Sequence, residues 1–196
     1  MRLVLASASA RRRELLTAAG LSFVVDPADI DERRRPHEPP EDYAQRVAED
    51  KVEVGRRRHP ADVVLAADTI VLVDDQLLGK PATPDEAAAM LGQISGRAHD
   101  VLTGVAIVWP GGKRSRVERT RVWFAPLSAE QIRWYVASGE PMDKAGAYAI
   151  QGLASRFVTR IEGSYSNVVG LPVAAVVQFL AQTGLLVDSS QNGPYS

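Results

Sequence analysis

Leu3-Val4-Leu5-Ala6-Ser7-Ala8-Ser9-Ala10-Arg11-Arg12-Arg13 is the stretch whose reading decides the fold. Four apolar residues in a row read as a short buried strand. A small polar turn, Ser7-Ala8-Ser9, leads into a helix from about Ala10 to Ala19, with Leu15, Leu16 and Ala19 on one face and Gly20 as its stop. This order sets Ser7, Ser9 and the first arginines at a helix N-terminus. Free backbone N–H groups and the positive end of the helix dipole attract anions there. Local rules alone favour a capped helix with solvated arginines. Cations at that end oppose the dipole by up to about 1 kcal/mol each, so three of them make better sense around an anion. A phosphate would satisfy hydroxyls, N–H groups and guanidinium forks together.

Outward from this unit, strands and helices continue to mix. Asp26 to Pro40 is polar and proline-punctuated, a loop, and a helix follows over about Glu41–Arg57. Val63–Ala67 is a second buried strand; strand character resumes at Ile70–Val73 after Asp68, and Asp74-Asp75 makes a turn. Thr83-Pro84-Asp85-Glu86 is a capped helix start. Strands over about Val101–Val108 and Val117–Phe124 flank the turn Pro110-Gly111-Gly112. A helix opens at Ser128 and ends by Gly139, Arg156–Glu162 reads as a strand, and Pro172–Gly184 as a last helix. The reading is an α/β fold on a mixed sheet, one domain over residues 1–186, with 187–196 as a loose tail.

Composition removes several function classes. A formal net charge of -1 gives no sign of a nucleic-acid polymer as partner. With no cysteine, thiolate metal sites and cysteine nucleophiles are excluded, and the scattered His37, His59 and His99 argue against a zinc site. Any metal should be a hard cation held by carboxylates and phosphate oxygens. The apolar start is too short for a signal peptide, and no stretch is long enough for a membrane span, so the expectation is a cytoplasmic chain without a membrane partner.

Two further features point to chemistry. Asp68 closes an apolar strand in Ala66-Ala67-Asp68-Thr69, either capping a turn or standing at a sheet rim where α/β proteins bind ligands. Of the 23 lysines and arginines only Lys51, Lys80, Lys113 and Lys144 are lysines. An arginine-biased chain that keeps so few lysines places them where a compact ammonium is needed, although each taken singly also reads as a solvated surface charge. Arg33-Arg34-Arg35 and Arg56-Arg57-Arg58 read as solvated charges, and adjacent His99 and Asp100 point to opposite strand faces rather than forming a dyad. There is no GxxxxGK[ST] loop and no GxGxxG fingerprint.

Together the motifs resemble the Maf-like nucleotide pyrophosphatases. Ser7 to Arg12 is similar to the family's S-x-S-P-R-R signature. Ala66 to Thr69, Gly79-Lys80-Pro81, Leu91 to Gly96, Gly139 to Tyr148, Ile150-Gln151-Gly152 and Gly170-Leu171-Pro172 follow in family order. The resemblance covers about Leu3 to Leu186. It implies an elongated α/β fold with a central mixed sheet and a deep groove, a homodimer, and hydrolysis between the α and β phosphates of a nucleoside triphosphate with Mg2+ or Mn2+. By the same resemblance Asp68 is the catalytic acid, as base or metal ligand, and Glu32 is a second acid at the metal. Ser7, Arg12, Lys51 and Lys80 bind substrate phosphates. Arg11, Thr69 and Gln151 match the branch acting on dTTP, UTP and modified pyrimidine nucleotides, where the 7-methyl-GTP branch has Trp, Glu and Glu. A Gln amide offers the donor and acceptor that complement a uracil or thymine edge. Two positions depart from the pattern: Ala10 replaces a proline, and Ala149 replaces a glycine, which would strain the backbone if its φ were positive. The family name also carries an association with septum formation, so a non-enzymatic inhibitor of division is the alternative reading.

Overall fold

The computed structural model describes residues 1–185; the stretch read as a tail lies outside the described residues. A mixed sheet runs through the chain in the order β2-β1-β3-β5-β6-β7, with β4 paired to β3. The strands are β1 (Leu3–Leu5), β2 (Val24–Val25), β3 (Val63–Val73), β4 (Gln76–Leu78), β5 (Ala98–Trp109), β6 (Gly112–Phe124) and β7 (Val158–Glu162). β1 lies parallel to both β2 and β3, and the remaining pairings are antiparallel. Helices α1 (Ala10–Ala18), α2 (Pro40–Arg58), α3 (Pro84–Ile94), α4 (Ala129–Ala137), α5 (Tyr165–Val169) and α6 (Val173–Ala181) pack around it.

β3 is the organising element, and it differs from the sequence reading. The two strands expected on either side of Asp68 are one continuous strand, because β5 pairs with it from Val64 to Leu72 without a break. Its opposite edge is divided. β1 covers Val63 to Leu65, β4 covers Val71 to Val73, and among the described residues no strand pairs with the edge between them. Asp68 and Thr69 sit in that gap, so a mid-strand acid still reaches a rim.

Alternation along β3 sorts the two layers. Val64, Ala66, Ile70 and Leu72 face α2, packing with Ala44, Ala48 and Val52. Leu65 and Ala67 face the other layer, with Leu16 of α1 and Val176, Phe179 and Leu180 of α6, while Val71 joins Leu91 and Ile94 of α3. α2 comes unusually close to the sheet at Gly104 of β5. A Cβ there would lie 2.0 Å from the Ala44 carbonyl oxygen, so only glycine permits the approach.

Other boundaries moved for local reasons. Asp74 and Asp75 both have positive φ, 47° and 64°, which closes β3 and β4 as a tight hairpin. Residues Leu153–Phe157 form a 3-10 turn, so β7 begins at Val158 rather than Arg156. The last helix ends at Ala181, short of Gly184. Ala10 starts α1 without the proline, with Ser9 accepting from the Arg12 amide at 3.4 Å as N-cap.

Candidate active site

A cleft straddles the uncovered edge of β3, bounded by the Ser7–Arg12 turn, the Glu32 loop, α2, the start of the Gly79-Lys80 segment and residues Asp143–Gln151. Since Asp68 and its neighbour Thr69 point to opposite faces of the sheet, the cleft has two chemically distinct halves.

On the α2 side, Asp68 Oδ1 accepts from Lys51 Nζ at 3.0 Å, and Glu32 Oε1 lies 2.9 Å from the same nitrogen. Lys51 and Asp68 are buried, while Glu32 is exposed. A buried ammonium is tolerable only with such partners. The register explains the meeting. Asp68 pairs with Gly104 across the ladder, and Gly104 is where α2 comes down onto the sheet. Tyr43, two turns before Lys51 on α2, also lines this half. Burial, and then the negative charge of Asp68 and Glu32, push its hydroxyl pKa upward, which sets it in the field of both acids.

On the other side Arg12 is buried and folded back under the turn. Its Nε donates to the Gly170 carbonyl at 2.8 Å, Nη1 to Ser7 Oγ at 3.0 Å and Nη2 to Thr69 Oγ1 at 3.1 Å. Burial lowers its pKa, and Asp68 opposes that shift. Thr69 is held in turn by Thr103 Oγ1 at 3.0 Å, and Thr103 donates to the Asn167 carbonyl at 3.3 Å. Gly170 has φ 131°, a conformation side chains rarely adopt, and this turn aims its carbonyl at Arg12.

Arg11 lies at the mouth, 3.6 Å from Asp143 Oδ2, and Asp143 also pairs with Lys144. Gln151 lines the same wall and is exposed to solvent. Ala149 is not among the residues with positive φ, so its replacement of glycine strains nothing, and its amide donates to Tyr135 Oη at 3.1 Å. The left-handed residues in this wall are Gly146 and Ala147, at φ 69° and 58°. Lys80 is exposed and lines the cleft beside this wall, since the Gly146 amide donates to the Gly79 carbonyl at 3.0 Å.

All nine residues singled out from the sequence line this one cleft: Ser7, Arg11, Arg12, Glu32, Lys51, Asp68, Thr69, Lys80 and Gln151. Sequence reasoning passed over Tyr43, Thr103 and Gly104. A glycine inside the apolar strand Thr103-Gly104-Val105 was the available signal, since it marks a close backbone approach. His99 is buried on the face away from Asp100 and bonded to Tyr148 Oη at 2.8 Å. It forms no dyad with Asp100, whose partners are Arg119 and Arg121.

Among the described residues no cluster of three or more His, Asp or Glu could hold a metal unaided. Asp68 and Glu32 nevertheless bring two hard carboxylate donors together, each within 3.0 Å of the Lys51 ammonium. That set suits Mg2+ or Mn2+, which typically takes one or two carboxylates and completes its shell from substrate phosphates and water.

The model of the family described as Maf-like protein matches residues 2–183. A dTTP/UTP pyrophosphatase of Symbiobacterium thermophilum is 52% identical over 182 residues, covering 93% of this chain and 94% of the relative. One of Myxococcus xanthus is 52% identical over 183 residues, covering 93% of each. Among solved structures, the Staphylococcus aureus Ham1 protein aligns over 93% of this chain and 99% of its own, at 10% identity and a TM-score of 0.49. Matched by that model from its second residue to just past its last described helix, the chain belongs to the Maf-like family.

Proposed function

We propose that the chain hydrolyses dTTP and UTP between the α and β phosphates, releasing the monophosphate and pyrophosphate. The observation that carries this reading is the pairing of two halves across the edge of β3. A charged cluster, the acids Asp68 and Glu32 around the Lys51 ammonium, faces one end of the cleft, and a polar pocket built on Arg12, Thr69 and Gly170 faces the other. The names borne by relatives at about half identity along nearly their full length support the substrate class.

Phosphoryl transfer asks little covalent chemistry of a protein and much positioning and charge neutralisation. Lys80, exposed at the rim, supplies a mobile cation for the β and γ phosphates. Ser7 and the N-terminus of α1 offer hydrogen-bond donors, and Arg12 fixes the turn that presents them while adding positive potential. Asp68 is the group able to take a proton from the attacking water. Lys51 holds Asp68 in place through their 3.0 Å contact. Asp68 and Glu32 would hold the divalent cation, which when bound supplies neutralisation of the phosphate charge. Arg11, Thr69 and Gln151 shape the end that receives the base. Gln151 gains its discriminating power when the base removes it from water, because an unmatched edge leaves its amide unpaired at about 1–3 kcal/mol. The protein acts in the cytoplasm as a homodimer on a small-molecule nucleotide; among the described residues no helix is long and apolar enough to cross a membrane.

A panel of dTTP, UTP, CTP, GTP and 7-methyl-GTP, read by monophosphate release, tests the proposal. The pyrimidine imides dTTP and UTP should turn over fastest. A preference for 7-methyl-GTP would overturn the base assignment and leave the reaction standing. Nucleotide binding with no turnover of any of them would favour the non-enzymatic division inhibitor.

A further inference from the structure

Between Asp26 and Pro39 the chain has no helix or strand, yet it is fastened along α2 at three levels. At the first, Asp26 accepts from Arg58 Nη1 at 3.1 Å and lies 2.8 Å from His59 Nε2. At the second, Glu32 meets Lys51. At the third, the Arg46 guanidinium forks onto Glu38, Nε to Oε1 at 2.6 Å and Nη2 to Oε2 at 2.9 Å. Acids ascending the segment meet bases descending the helix, so the segment is a strap laid antiparallel on α2, and its middle fastening lies in the active site.

The three fastenings differ in strength. The side chains of Arg46 and Glu38 are only 15% and 9% exposed, whereas that of Glu32 is 53% exposed. Arg46 Nη2 also donates to the Arg33 carbonyl at 3.1 Å, one residue after Glu32, and Nη1 reaches Asp50 at 3.2 Å. Glu38 accepts from the Arg35 amide at 3.0 Å, while its carbonyl takes Arg34 Nε at 2.8 Å. The Arg46 fork holds the Glu38 carboxyl at about 2, far below the usual carboxylate range, so the pair stays charged at any working pH. An exposed acid on an irregular segment would sample many positions; here the backbone beside it is held from the helix that also carries Lys51.

We propose that Arg46 is a positioning residue for the reaction: by gripping Glu38 and the Arg33 carbonyl it sets Glu32 against Lys51 and Asp68. This rests on the reading above in which Glu32 takes part in catalysis. A double-mutant cycle on the full chain tests it, with kcat/KM for UTP in the presence of Mg2+ as the readout. Arg46→Met should lower kcat/KM about tenfold in the unmodified protein, and by less than about twofold in a Glu32→Gln background, because coupled residues are non-additive. Arg46→Lys, which cannot fork, should fall between. An unchanged rate for Arg46→Met, or an equal loss in both backgrounds, overturns the proposal. A silent Glu32→Gln single variant instead sinks the reading of Glu32 itself, and the proposal with it. Should Arg46→Met fail to fold, Glu38→Gln removes the same fork from the strap side, and the identical cycle decides.

Discussion

Lys51 and Lys80 are set apart by the same compositional clue, yet the structure gives them different surroundings. Lys51 is buried between two carboxylates, whereas Lys80 is exposed, with no carboxylate in salt-bridge range among the described residues. Lys51→Met should therefore destabilise the fold by about 3 kcal/mol, since it leaves Asp68 buried and unpaired; a urea midpoint equal to that of the unmodified protein would show that the pair carries no such weight. Lys80→Met should leave stability within about 0.5 kcal/mol and raise KM by a similar factor for every nucleobase, because a phosphate contact carries no base information. A change in the order of base preference would move Lys80 to the base end. At this scale the residues were legible because scarcity, motif order and strand context all marked them. What could not be read was how each side chain is engaged. Three guanidinium donors of Arg12 are committed to Gly170, Ser7 and Thr69, and two of those partners lie more than fifty residues away along the chain.

Among the elements, α2 and β3 make the acid half of the cleft, and the approach of α2 to the sheet is closest at Gly104 of the neighbouring β5 rather than at any charged residue. Gly104→Ala should cost about 1–3 kcal/mol through overpacking against the Ala44 carbonyl. It should also reduce turnover, because a shift of α2 that relieves the clash displaces Lys51 relative to Asp68. Normal turnover in a destabilised Gly104→Ala protein would mean that the ion pair tolerates a displaced helix. The sequence made α1, α2 and the β5–β6 hairpin legible through caps, apolar periodicity and the Pro110-Gly111-Gly112 turn. It divided β3 because a buried-looking strand with an acid inside it reads as two. The acid is accommodated only because the strand's other edge is uncovered there, a fact of sheet order and not of local pattern. The two-residue β2 depends on its pairing with β1, and the five-residue α5 is announced only by Ser164, whose side chain accepts from the Asn167 amide.

For the molecule as a whole, acid stability carries a signature of the core. Burial lowers the His99 pKa to about 4, so the folded protein keeps this imidazole neutral. Below pH about 6.5 the unfolded chain takes up a proton that the folded one refuses, so stability falls from there until pH about 4, by up to about 3 kcal/mol. A His99→Gln variant should lack this part of the slope, and unfolding curves that run parallel for both proteins through that window would remove His99 as its source. The mixed α/β class and the cleft residues were legible from motif order, which fixes what comes together without showing how. That Asp68 and Thr69 serve opposite faces of one strand edge follows from the assembled sheet, and it is this division that supports a hydrolytic end and a base-reading end. Hydrolysis at the α–β bond is tested by following the products of UTP by phosphorus NMR for the unmodified protein and for Asp68→Asn. UMP and pyrophosphate are expected as the only products, with the rate reduced roughly 100-fold or more in a folded Asp68→Asn protein; release of UDP and inorganic phosphate would rule out cleavage at the α–β bond, and an undiminished rate without the Asp68 carboxylate would remove Asp68 from the chemistry.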